Sequence, residues 1–152
     1  MDVLTILKKD HREVKEMFDQ LEELGERADA ARAKLFAKID QALTVHVDGE
    51  ERYFYPVLKE RSKARSEERD DVIEGYEEHA IAKQLIKELE GLAPTDESYK
   101  AKLSVLREGV LHHIKDEEGK IWPIAREVLD REEMEEIGAQ IEALKSRAPA
   151  KV

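Results

Sequence analysis

The chain of 152 residues carries a formal charge of −10, with 41% charged residues, 5% aromatic residues and no cysteine. That length suits one domain with its own core, and 7 glycines with 4 prolines suit helices rather than sheets or a disordered chain. The negative charge argues against nucleic acid and anionic membrane surfaces as partners, and the missing thiols exclude disulfides, cysteine nucleophiles and thiolate metal sites, leaving His, carboxylate or Tyr to hold any metal.

The first predicted helix follows Asp2, a suitable N-cap, and stops near Gly25. Leu4, Leu7, His11, Val14, Phe18 and Leu21 recur at alternating steps of three and four, so His11 takes an apolar slot. Its opening stretch, MDVLTILKK, has no basic n-region, long apolar core or cleavage site, and no later apolar run approaches the roughly 20 residues of a membrane span. A cytoplasmic location is the expectation. The second segment runs from about 30 to 61 through Leu35, Ile39, Ala42, His46, Glu50, Tyr53 and Val57, with Pro56 expected to bend its last turns. After the charged link KERSKARSEERDD, the third carries Val72, Tyr76, His79, Ala82, Ile86 and Leu89, and GLAPTDES then breaks the chain. The fourth carries Tyr99, Leu103, Leu106, Val110, His113, Glu117, Ile121, Ile124 and Val128, with Pro123 as its bend and His112 on a flank. Residues 1–129 are therefore expected to form a helical bundle and 130–146 a short fifth helix or extension, opened by Asp130 and Glu133 at capping-box spacing, with 147–152 as a flexible tail.

Two helix pairs are duplicated. DHREVKEMFDQLEEL in the first helix is matched by EHAIAKQLIKELEGL in the third, and HVDGEERYFYP in the second by HIKDEEGKIWP in the fourth. Side chains at i and i+4 stand one turn apart on one helical face, so His46 with Glu50 and His113 with Glu117 each form a two-pronged clamp. Turning the four inward faces together adds His11 and His79, placing four imidazoles and two carboxylates in one core. Without a cation such burial costs several kcal/mol per unpaired charge, whereas coordination resolves all six groups together. Two metals sharing Glu50 and Glu117 as bridges, about 3.5 Å apart, are the expected occupants.

The order His, His-x-x-x-Glu, His, His-x-x-x-Glu over residues 3–129 resembles the hemerythrin-like, or HHE cation-binding, family. The resemblance implies an all-α, up-down-up-down four-helix bundle and a pair of iron ions with an oxo or hydroxo bridge, held by His11, His46, Glu50, His79, His113 and Glu117. Donor chemistry alone leaves iron, manganese and zinc open. Members that carry dioxygen resemble this chain but have a fifth histidine, four residues from another on the third helix; Gly75 and Lys83 stand at those places here. Tyr53, three residues after Glu50, is the candidate to fill the gap as a metal-facing or catalytic phenol. Glu51 and Glu118 are expected in an outer shell or in solvent, Tyr55 and Trp122 at the bundle end, and Gly49 and Gly119 at close helix approaches. The expected reaction is with a small oxidant, most concretely catalase-like disproportionation of hydrogen peroxide. Reversible binding of dioxygen or nitric oxide, and iron or redox sensing or iron donation, are the alternatives.

Overall fold

The protein is seen in a computed structural model that describes residues 1–148, and all its regular structure among them is helical. Helices α1 (Val3–Glu22), α2 (Asp29–Gly49), α3 (Tyr55–Arg61), α4 (Ser66–Glu90), α5 (Tyr99–Asp116), α6 (Trp122–Val128) and α7 (Arg131–Arg147) follow one another. A π-helical turn, Glu50–Phe54, joins α2 to α3, and a second, Glu117–Ile121, joins α5 to α6. Four long rods therefore alternate in direction as an up-down-up-down bundle, and α7 lies against α1 and α2.

Local chemistry explains the boundaries. The Asp2 carboxylate accepts a hydrogen bond from the Thr5 amide at 2.9 Å and starts α1. Asp130 and Glu133 exchange both bonds of a capping box at the start of α7. The irregularity expected at Pro56 and Pro123 takes the form of the two π-helical turns, each placed so that its proline sits in the first turn of the next α-helix. A proline ring clashes with the carbonyl four residues earlier, and a wider turn relieves that clash. Arg147, expected in the tail, instead closes α7, with Ala148 as its C-cap; residues 149–152 of the expected tail lie outside the described residues.

The apolar stripes form two clusters. One holds Leu7, Phe54, Leu58, Ile121, Ile124 and Ile141 among others, and the other holds Phe18, Phe36, Ile39, Leu89, Leu103 and Leu106. Each fully buried Leu, Ile or Phe stabilises the fold by about 1.5–3 kcal/mol. Along every rod the polar members of the stripe fall between the two clusters, so His11, His46, Glu50, His79, His113 and Glu117 make one buried layer across the bundle. Helix α7 turns Ile137 and Ile141 to the first cluster and seals it. It crosses so close to the start of α1 that a Cβ at Gly138 would lie 2.5 Å from the Met1 carbonyl oxygen, a position open to glycine alone.

Candidate metal centre

The layer is dry at its middle. Glu50 and Glu117 are 0% exposed, His11 and His79 2%, His46 6% and His113 9%, so any charge there must be neutralised locally. His46 and His79 bring their Nε2 atoms to 3.2 and 3.1 Å from one oxygen of Glu50. His11 and His113 bring theirs to 3.2 and 3.3 Å from the two oxygens of Glu117. Several of these inward atoms, His11 Nε2, His79 Nε2, both Glu50 oxygens and Glu117 Oε1, have no hydrogen-bond partner among the described residues. Orphaned buried acceptors of this kind are costly unless something else satisfies them.

The donors fall into two groups of four, His11, His46, Glu50 and Glu117, and His79, His113, Glu50 and Glu117, with the ligand atoms of each group within 4.8 Å of one another. Both carboxylates belong to both groups. Two cations, each with two imidazoles and a share of two carboxylates, fit this arrangement, and nitrogen and oxygen donors without sulfur suit iron, manganese or zinc.

A second ring of acids holds the imidazoles from behind. Nδ1 of His46 meets Asp10 at 2.9 Å, and Nδ1 of His113 meets Glu78 at 2.7 Å. Nδ1 of His11 meets Glu118 at 2.7 Å, and Nδ1 of His79 meets Glu51 at 2.7 Å. Each Nδ1–H donates outward, which leaves Nε2 as the inward ligand atom; metal-binding histidines are oriented in this way. Glu118 also takes Lys8 at 2.8 Å and Glu51 takes Lys83 at 2.7 Å, while Lys145 of α7 bonds Asp10. The sequence signal for Glu51 and Glu118 was seen; Asp10 and Glu78 were missed, although each stands immediately before the histidine of its duplicated helix.

These contacts move the acid–base equilibria. Burial works against the charged form of His113, but hydrogen bonds to Glu117 and Glu78 outweigh it and push the imidazole up to about 10. His46 and His79 are likewise raised against burial, by Glu50 together with Asp10 and Glu51 respectively. Burial would lift the Glu117 carboxyl, yet the approach of Glu50, His11 and His113 holds it well below the usual carboxylate range. Without metal, protons on His46, His79 and His113 help to balance the acids.

The phenol that reaches the layer is Tyr55, not Tyr53. In a regular helix the residue three after Glu50 faces the same way, but the π-helical turn spends an extra residue, and the Tyr55 amide bonds back to the Glu50 carbonyl. Tyr53 instead packs half-buried against the first apolar cluster. Tyr55 donates its O–H to Glu117, lies 3.4 Å from Nε2 of His113 and stacks on His79 with ring centres 5.1 Å apart. Burial and the nearby Glu117 and Glu50 raise its pKa well above the ordinary phenol value, keeping the proton on oxygen. Gly75 makes the room: a Cβ there would meet the Tyr55 ring at 3.1 Å. The position that lacks a fifth histidine is thus filled by a phenol from the neighbouring rod.

Trp122 holds the corresponding place after the second π-helical turn and stacks on His11 at 5.3 Å, its indole nitrogen buried without a hydrogen-bond partner among the described residues. Both aromatics flank the layer rather than cap the bundle end. A Cβ on Gly49 would meet Ile141 of α7 at 3.4 Å, whereas one on Gly119 would meet nothing within 4 Å among the described residues. His112 is exposed, paired with Asp116 at 3.1 Å and 3.6 Å from Glu78, and belongs to neither of the two four-residue groups.

The family described as the hemerythrin HHE cation binding domain matches residues 2–125. A curated protein named as a DNA nickase, from Nostoc sp., is 25% identical over 147 residues, which is 97% of this chain but 40% of that protein. Among solved structures, a hemerythrin HHE cation binding domain-containing protein from Mycobacterium kansasii superposes with a TM-score of 0.80 at 21% identity, covering 97% of this chain and 87% of that one. At that identity the structural match speaks for the fold.

Proposed function

The chain belongs to the hemerythrin HHE cation-binding family, and from that premise we propose that it holds two iron ions in the buried layer and disproportionates hydrogen peroxide. The observation that carries the reading is the pair of four-residue groups with Glu50 and Glu117 common to both. The ligands would be His11 and His46 for one ion and His79 and His113 for the other. Bound there, such ions would supply reversible two-electron redox chemistry, by which two hydrogen peroxides would become two waters and one dioxygen.

The remaining parts are the chain's own. Asp10, Glu118, Glu51 and Glu78 fix the four rings with Nε2 inward. Tyr55 keeps a proton on its oxygen beside Glu117 and His113, where a reacting oxygen would need one. Phe54, Tyr55, Trp122 and Ile121 close the layer against water on one side. Absence of the fifth histidine at Gly75 and Lys83 disfavours simple dioxygen carriage. The nicking activity named for the Nostoc relative is not favoured, because a charge of −10 repels a phosphate backbone.

The test is dioxygen evolution from hydrogen peroxide by protein reconstituted with iron. Turnover above that of an equal concentration of free iron, lost in His113→Ala, is expected; activity no greater than free iron, or retained in that variant, defeats the reading.

A further inference from the structure

One face of the polar layer is open. A chamber of about 540 Å³ lies between the layer and the second apolar cluster, bounded by α1, α2, α4 and α5, and all four imidazoles line its inner end. Val14, Leu43, Val47, Ile86, Val110 and Ile114 form much of its wall, with Ala82 between His79 and Ile86. Exposed Thr44, Lys83, Lys87 and Glu90 line its outer part, placing the opening between α2 and α4. Asp48, Glu51 and Glu90 there outnumber Lys83 and Lys87, so the opening disfavours anions and suits an uncharged molecule.

This volume does not match hydrogen peroxide. Two water-sized oxygens need roughly 60 Å³, about a ninth of the space, and a peroxide gains nothing from aliphatic walls. Pockets of about 300–1,000 Å³ with apolar walls and a few polar groups at one end bind organic molecules. Resting on the peroxide reading above, we propose that the chamber binds an alkyl hydroperoxide, its chain along the aliphatic wall and its O–OH group at the imidazole end. The O–O bond breaks: RO–OH takes two electrons, one from each ferrous ion as both become ferric, and two protons from solvent, giving ROH and water. One alcohol forms for every two irons oxidised.

Chain length tests the assignment. Each methylene moved from water into the chamber should tighten binding about fourfold. Calorimetry of ethanol, 1-butanol and 1-hexanol with iron-loaded protein should show affinity rising about 15-fold for each added pair of methylenes. Single-turnover oxidation of the ferrous protein by ethyl, butyl and hexyl hydroperoxide should show the same order in its second-order rate constant and exceed that with hydrogen peroxide. Ala82→Phe, which fills the chamber beside His79, should weaken hexanol binding and hexyl hydroperoxide reaction at least about tenfold while iron content and the hydrogen peroxide rate stay within about twofold; Val110→Phe, from the opposite wall, gives the same readout if the first variant folds poorly. Reaction with hydrogen peroxide but no gain with chain length and no alcohol binding overturns the inference alone. Failure with every peroxide overturns the peroxide reading and this inference with it.

Discussion

Replacing Glu117 by Gln tests the shared carboxylate directly. The side chain keeps its size and an oxygen for the Tyr55 hydroxyl, but loses the charge that faces His11 at 3.2 Å and His113 at 3.3 Å. Because Glu117 is fully buried and belongs to both four-residue groups, one substitution should remove both equivalents of tightly held metal. His79→Ala, by contrast, alters one group only. In metal-free protein, removing one partner of a buried ion pair costs about 3–5 kcal/mol. At about 2–4 °C per kcal/mol for a chain of this size, the melting temperature should fall by about 6–20 °C, measured near pH 6 where His113 carries its proton. The assays are metal analysis after dialysis and thermal unfolding followed by circular dichroism. A Glu117→Gln protein that still holds one tight equivalent, or melts within about 2 °C of the parent, refutes the shared-ligand geometry.

Further outcomes follow from the surrounding residues. Asp10→Asn and Glu78→Gln each remove an outer acid from one imidazole, so metal affinity should fall about 10- to 100-fold, read by competition with a chelator. Tyr55→Phe should leave iron content intact yet slow peroxide turnover by about 10²-fold, whereas Tyr53→Phe changes neither. The raised imidazoles stabilise the metal-free fold fully below their unfolded value near 6.5, and that stability is lost as pH rises toward about 10 for His113; the melting temperature of metal-free protein should therefore drop over that window. The metal-loaded protein, whose imidazoles are held neutral by coordination, should not show the drop. Gly138→Ala drives a Cβ into the Met1 carbonyl and should cost about 1–3 kcal/mol, seen as a lower urea midpoint.

Much of the bundle was readable because its stripes obey one period. His11, His46, His79 and His113 stand where apolar residues belong, and Glu50 and Glu117 follow at the spacing of a helical turn, so their convergence could be stated from the chain alone. Tyr55 could not be placed that way. A π-helical turn alters the phase of everything after it, and EERYF carries no mark of the insertion beyond the proline that follows. Asp10 and Glu78 were visible in the duplicated pairs Asp-His and Glu-His, but an acid on a charged helix face reads as solvated until the facing rod shows a ring nitrogen beside it. The stripe of α7 packs on the molecule's own bundle, where Ile141 is 0% exposed.

The duplicated halves differ most where Tyr55 and Trp122 take equivalent places. One half offers a hydroxyl to a carboxylate, and the other an indole whose N–H finds no acceptor among the described residues. A layer otherwise close to two-fold thereby acquires a head and a tail. The two imidazole pairs are therefore unequal neighbours, His79 lying against a phenol and His11 against an indole.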